Sequence, residues 1–534
     1  MKRRLLLLPL LFALVFQLSN CAKKGSPSGG PRDTIAPVIV RNVPENYSVL
    51  FEGKEIRVYF DEYIKLKDLG KNLIISPPLK YDPIITPQST SKQLRIRIQD
   101  TLLPNTTYSF NFGTSIVDNN EENPLNYFKY VFSTGEFLDS LKVNGSVQDA
   151  LLPVAEFPIT VMLYSYNENF KDSLVFSEKP TYITTTRDSS NTFQIANVKE
   201  GKYLLLALKE EASDFTFQPA TDKIGFVERI VELPTDSTYQ LTIFKEEVPY
   251  QINRASHVGK TRIALGYNGN ANQLEVKPLS DVPEGFESIL LQDREKDSAY
   301  WWFKPALELD SLRLLAAKGP NIDTLIVRMR NLYPDSLMVT GNKTGTLLPT
   351  DTVRLKANVP IVRLNDERVK VMDRDSLPIG AAMQLDKTFN LVDILFDLKE
   401  EQLYSVRLLP GAIIDFYEQT NDTLEYTIRT KAGSDYGTLD LTLENVPDHP
   451  LIVELLNEKF EPVKVEVLNE ETNLLFPYIN PGKYYVRITY DSNRNGKWDS
   501  GEFLSRTKPE EVVYYPKQLE VRANWSLNER FRLN

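Results

Sequence analysis

A chain of 534 residues exceeds what one hydrophobic core holds, and at roughly 100–200 residues per domain it divides into several. Its formal charge of −10 lacks the basic footprint that a nucleic-acid partner requires. A single cysteine, Cys21, excludes an intramolecular disulfide, and 33 Pro with 24 Gly leave little room for long helices.

The chain opens with Lys2-Arg3-Arg4, an apolar run from Leu5 to Phe16, and then Leu18-Ser19-Asn20-Cys21. A charged start, a short apolar core and polar residues at the cut make a secretory signal. The run is about twelve residues, short of the roughly 20 a bilayer span needs. A cysteine directly after the cut resembles a bacterial lipoprotein signal. The resemblance implies that 1–20 is removed, that the Cys21 thiol is lipidated, and that the chain hangs from a membrane by its N-terminus. Asn20 departs from the Gly, Ala or Ser usual before that cysteine. Residues 21–32 are rich in Gly, Ser and Pro and read as a flexible tether. Lys23 and Lys24 stand where surface-displayed lipoproteins often carry acidic residues. A periplasm-facing position on the outer membrane is therefore expected ahead of the cell surface.

Residues 33–137 form a series of short alternating strands: Ile56–Phe60, Leu94–Ile98, Tyr108–Phe112 and Tyr130–Thr134. One face of each is apolar, as in a β-sandwich. Asp33-Thr34-Ile35-Ala36-Pro37, Val58-Tyr59-Phe60-Asp61-Glu62, Leu103 to Tyr108, Ile116-Val117-Asp118-Asn119-Asn120 and Phe132-Ser133-Thr134-Gly135 resemble the bacterial Ig-like family first seen in surface-layer proteins. That resemblance implies a spacer or binding module.

Residues 138–247 carry the run Phe193 to Ala207, read as a strand, a polar turn with Gly201, and an aromatic-led strand, together a hairpin. This stretch resembles prealbumin-like domains of bacterial surface proteins. A middle β-sandwich is expected over 248–345, with Tyr300-Trp301-Trp302-Phe303 on a strand. Alternation turns one indole away from the core. It either stacks on a glycan or a partner, or covers a domain junction.

The plan then repeats. Tyr404, Asp415 and Thr430 echo the spacing of Tyr108, Asp118 and Thr134, giving a second Ig-like domain over 346–432. Phe476 to Tyr484 echoes Phe193 to Tyr203, giving a second prealbumin-like domain with C-terminal strands over 433–534. The expected fold class is all-β, tandem sandwiches behind a cleaved lipoprotein signal peptide.

Asp491, Asn493, Asn495, Asp499 and Glu502 fall at positions 1, 3, 5, 9 and 12 of a loop with Gly496 at position 6. This is the spacing of an EF-hand calcium loop, in which position 7, Lys497, contributes its backbone carbonyl. The alternative is a polar hairpin loop held by Asx turns. Any Ca²⁺ is expected to be structural, since the aligned first copy (Glu210, Ala212, Asp214, Thr221) lacks most of the ligands. The Asp118–Asn123 loop matches no metal spacing and reads as a turn. His257 and His449 lie far apart in separate domains and read as surface residues. Without a His-Glu-x-x-His pattern or a phosphate loop, a non-catalytic role is expected. The expected role is a membrane-anchored binding or scaffold lipoprotein with an envelope protein partner, most like Ig-like domain lipoproteins of Bacteroidota. A glycan-binding lipoprotein and a two-carboxylate enzyme are the alternatives.

Overall fold

The computed structural model describes residues 33–533 apart from 187–189, 294–295 and 471. The signal segment, Cys21 and the tether lie outside the described residues. The regular structure of the described chain is almost all strand, and the strands pair into successive two-sheet sandwiches, each with its own apolar core.

The first sandwich sets Ile39–Val43, Glu55–Leu66, Ser91–Arg97 and Ile84–Thr86 side by side, and Ile116–Asp118 pairs with the far end of Glu55–Leu66. Ile74–Ser76, Thr107–Asn111 and Lys129–Ser133 form the opposing sheet. Alternation does the sorting: Ile56, Val58 and Phe60 face Leu94 and Ile96 inside, while Arg57 and Tyr59 point out.

The fourth sandwich repeats this pairing. Val339–Lys343, Val353–Ala357, Leu391–Leu395 and Ala382–Asp386 form one sheet; Val369–Met372, Leu403–Leu408 and Leu424–Thr430 lie within the other. Ile361–Leu364 with Ile413–Asp415 matches the Ile64–Leu66 pairing with Ile116–Asp118. The spacing echoes are equivalent side chains. The Tyr108 hydroxyl accepts from Leu103 N at 2.8 Å, and that of Tyr404 from Lys399 N at 2.7 Å. Thr134 Oγ1 accepts from Thr106 N and Thr430 Oγ1 from Gln402 N. Asp118 and Asp415 are both buried and gather backbone N–H groups of the turn that follows.

One boundary differs from expectation. The Val339–Lys343 strand belongs to the fourth sandwich, where it pairs with Val353–Ala357. Leu337 and Val339 pack on that core. The middle unit therefore ends before residue 337, not at 345, because the apolar positions around 337–339 are claimed by the later core.

The second and fifth sandwiches also share one topology. Leu141–Asp149 lies between Thr192–Val198 and a parallel Thr238–Ile243; Gly437–Glu444 lies between Asn473–Ile479 and a parallel Ser526–Arg532. The opposing sheets place Thr160–Ser165 beside Gly201–Lys209, and Leu451–Leu456 beside Gly482–Tyr490. Phe193 and Tyr203 are not on one hairpin. Thr192–Val198 pairs with Leu141–Asp149, whereas Gly201–Lys209 joins the other sheet. The turn crosses between layers because the Tyr203 hydroxyl donates back to Lys199 O at 3.1 Å, as Tyr484 does to Asn480 O at 2.8 Å.

The middle sandwich packs Gln251–Gly259, Arg262–Asn268, Ser298–Lys304 and Glu287–Asp293 against Glu275–Pro278, Ser311–Lys318 and Asn321–Arg328.

The units do not hang as separate beads. The first meets the second through Ile183 N donating to Ser76 Oγ at 3.1 Å and Lys179 Nζ to Leu79 O at 3.0 Å. The third meets the fourth at Trp302. The fourth meets the fifth through Glu400, which accepts from Gly433 N and the Tyr478 hydroxyl at 2.8 and 2.9 Å. The fifth folds back onto the second, so contacts run from the third sandwich through the fourth and fifth to the second, and the chain after Ile243 joins the second to the third covalently.

Candidate functional site: the clasp between the second and fifth sandwiches

The clasp is built on the outer face of the second sandwich. On Gly201–Lys209, Tyr203, Leu205 and Ala207 fill the inner core, and Leu204, Leu206 and Leu208 point the other way. An outward apolar face must be covered. Val175, Phe217 and Phe244 cover part of it. The rest is covered from a distant part of the chain by Phe503, at 0% exposure. The Phe503 ring lies 5.9 Å from Phe226 and 6.3 Å from Phe176, with the Arg506 guanidinium 4.2 Å over its face. Gly501 sits under Phe244, where an added Cβ would come within 2.7 Å of the ring.

Polar contacts ring this plug. Arg506 pairs with Asp172, Lys508 with Glu228 at 2.7 Å, and Lys497 with Glu247 at 3.0 Å. Glu246, in the linker after the second sandwich, accepts from Phe503 N. Burial pushes the Glu246 carboxyl above its ordinary value. Arg487 makes two bonds to Glu454 and a third to Leu151 O at 3.2 Å, and the Tyr514 hydroxyl donates to the same carbonyl. A groove of about 550 Å³ runs along the seam, lined by Asp149, Glu228, Arg229, Tyr239, Lys508 and Glu510 among others.

The Asp491–Glu502 loop is the base of this clasp. The buried Asp491 carboxylate accepts from Asn495 N at 3.0 Å and Gly496 N at 2.8 Å. Asn493 and Asn495 both donate to Asp499, and the Lys497 ammonium lies 3.2 Å from it. Asp491, Asn493, Asn495 and Asp499 are thus tied together within the loop, with amide and ammonium donors turned toward the Asp499 carboxylate. Glu502 does not join them: its side chain is exposed and its backbone pairs with Thr507. The carboxylate that closes on the loop is Glu510, which accepts from Ser492 N and Asp499 N. Spacing could not find it, because it lies eight residues past the twelfth position. Among the described residues no group of three or more His, Cys, Asp or Glu converges as a metal cluster.

The tryptophans do not form a glycan platform. Trp301 and Trp302 are each 1% exposed. Trp301 packs inside the middle sandwich against Phe286 and Phe303. Trp302 faces the other way, onto Val359, Phe416 and Tyr417 of the fourth sandwich, with Arg262 4.9 Å over its ring. The Tyr417 hydroxyl donates to Thr261 Oγ1 at 2.7 Å, and burial pushes it up to about 12. The glycan reading of this pair is overturned, because the fourth sandwich covers the ring that alternation turns outward.

His257 is buried, not on the surface: its ring nitrogens meet Arg330 N at 3.0 Å and Lys260 O at 3.3 Å. It satisfies backbone groups at the end of the middle sandwich. His449 packs edge-on to Tyr490. The Asp118 loop is a turn in which one carboxylate accepts four backbone N–H groups, those of Asn120, Glu121, Glu122 and Asn123.

This architecture defines a tandem β-sandwich protein with repeated units. Its first sandwich, residues 33–134, matches the family model described as a bacterial Ig-like domain. Among solved structures, surface layer protein SbsC, domains 1–6, is similar at 11% identity and a TM-score of 0.15, over 91% of this chain and 67% of that one. The Bacillus anthracis TIE protein gives 11% identity and 0.15, over 98% and 78%. The I9–I11 tandem of titin gives 9% and 0.12, over 53% and 100%. No curated protein matches the chain.

Proposed function

We propose that this chain is a non-catalytic scaffold of a Gram-negative envelope, anchored through a lipid on Cys21 and docking an outer-membrane or secretion assembly. The observation that carries the reading is the docking of the fifth sandwich back onto the second through the Phe503 clasp. This docking gives a tethered protein a fixed surface at a defined place, which a flexible string of domains does not. A usable edge is present in the fifth sandwich. Pro462–Leu468 is an edge strand and exposes Val463, Val465 and Val467 beside its open side. Such an edge suits strand addition by a partner protein.

Lys23 and Lys24 favour the periplasmic side of the outer membrane. A structural Ca²⁺ belongs to the same reading. Asp491, Asn493, Asn495, Asp499 and the Lys497 carbonyl would hold it, stiffening the loop that carries Phe503. Calorimetry with added Ca²⁺ tests this, and the absence of both heat and a melting shift would rule the ion out.

The scaffold itself is tested by cross-linking in intact membranes followed by purification. The expected result is one integral outer-membrane protein, recovered in fixed ratio and lost when Val465 is changed to Lys. Recovery of the chain alone would contradict the reading. Labelling with a fatty-acid analogue, wild type against Cys21→Ala, tests the anchor; equal labelling would sink it.

A further inference from the structure

The outer face of the first sandwich is charged against the trend of the chain. Strand register places Arg41 opposite Tyr59, Tyr59 opposite Gln93, Arg57 opposite Arg95, and Glu55 opposite Arg97. Val43 lies beside Arg57, Ile84 beside Arg97 and Thr86 beside Arg95. Cross-strand partners share a face, so four arginines and one carboxylate stand together. Their neighbours Ile56, Val58, Leu94 and Ile96 are in the core, which leaves this face outward. Glu55 is shared by Arg57 at 2.6 Å, Arg95 at 2.5 Å and Arg97 at 4.0 Å. One carboxylate among three guanidinium groups leaves most of their donors unused. Arg95 Nε is buried without a partner. Arg41 lies over the Tyr59 ring at 4.4 Å. The chain carries −10 overall, so the excess of three positive charges among Arg41, Glu55, Arg57, Arg95 and Arg97 is a distinct patch, bounded at the far end of Glu55–Leu66 by the acidic Asp61 and Glu62.

Two observations select the partner. Guanidinium forks match phosphate oxygens, which calls for an anionic, phosphate-bearing surface. Exposed apolar and aromatic side chains edge the patch: Val40, Val43, Tyr63 and Ile84. Arginine mixed with tyrosine and aliphatic residues is the composition of a lipid interface; nucleic acid needs no aliphatic rim. Position agrees. Ile39–Val43 is the edge strand of this sheet and the first strand of the described chain. At about 3.5 Å per residue, residues 21–39 reach at most about 60 Å, so an anchor at Cys21 keeps the patch near the bilayer.

We propose that this sheet face, centred on Arg57, Arg95 and Arg97, docks on anionic phospholipid headgroups. It thereby fixes the orientation of the first sandwich on the membrane. The proposal rests on the reading that the chain is held at a membrane, and its test separates the two by removing the lipid. The full chain carrying Cys21→Ala is mixed with vesicles of 30% phosphatidylglycerol in phosphatidylethanolamine, or with neutral phosphatidylcholine vesicles, and sedimented. Binding to the anionic vesicles alone is expected, at low salt and not in high salt. Arg57→Gln with Arg97→Gln, both exposed positions, should weaken it about 25-fold, at about fivefold per charge. Arg57→Lys with Arg97→Lys should retain most of it, which controls for folding. Equal sedimentation with neutral vesicles would overturn the proposal. So would an unchanged Gln variant, or binding to polyuridylate or heparin in place of vesicles.

Discussion

Phe503→Ala is the sharpest perturbation of the clasp. The ring belongs to the outer apolar face of the second sandwich and takes no part in the core of the fifth. Its loss should therefore release the docking while leaving both sandwiches folded. Removing a fully buried phenylalanine costs about 3–5 kcal/mol. At 1.4 kcal/mol per tenfold, the closed state loses about a hundredfold to a few thousandfold relative to the open one. Hydrogen exchange reads this directly. Amides of Phe503 and Thr507, and those of Lys223–Phe226, should lose protection, while Leu439–Leu443 in the core of the fifth sandwich keeps its own. Phe503→Leu, which refills most of the volume, should restore the larger part. Wild-type exchange in Phe503→Ala would refute the reasoning, because it would mean that the polar ring of the clasp suffices.

Other consequences are as definite. Gly501→Ala should loosen the clasp by itself, since the new methyl would meet Thr507 O at 2.5 Å and the Phe244 ring at 2.7 Å; an unchanged exchange pattern would count against this packing. Trp302→Ala should cost about 3–5 kcal/mol, read as a lower melting temperature with separate melting of the third and fourth sandwiches, whereas a single unshifted transition would contradict their docking. The two equivalent aspartates should titrate on opposite sides of 3.8. At Asp118 burial pushes the carboxyl up, but four backbone N–H groups outweigh it and hold it below. At Asp415 burial dominates over two such bonds and holds it above. Asp118 therefore contributes stability above pH 3.8 that is lost as pH falls through its folded value. Asp415 favours the folded state below pH 3.8 and loses that contribution as pH rises through its folded value. Carboxyl shifts in NMR, residue by residue, measure both.

What could be read from the sequence was what is local. Tyr108, Asp118 and Thr134, and their counterparts Tyr404, Asp415 and Thr430, act within a few residues or along neighbouring strands, so their spacing survives repetition. The boundary near 345 was misplaced because assigning Leu337 to a core requires knowing which sheet lies opposite. Phe193 and Tyr203 looked like a hairpin because sequence shows an alternation of strands but not which sheet each joins. The Trp301–Trp302 pair stated that one ring must leave the core; only the fold shows Val359 and Phe416 waiting for it. The clasp was the least legible feature. Phe503 meets Phe226 across more than 250 residues, and in sequence it is an ordinary aromatic beside a polar loop.

The central claim is that the second and fifth sandwiches are held together within one chain. Zero-length carbodiimide coupling of the native protein tests it without any substitution, because it joins only amines and carboxylates already in contact. The ion pairs Lys508–Glu228 and Lys497–Glu247, at 2.7 and 3.0 Å, should be recovered by mass spectrometry as joined peptides from monomeric protein. Their absence, or their recovery only from cross-linked dimers, would contradict the docking of the fifth sandwich on the second.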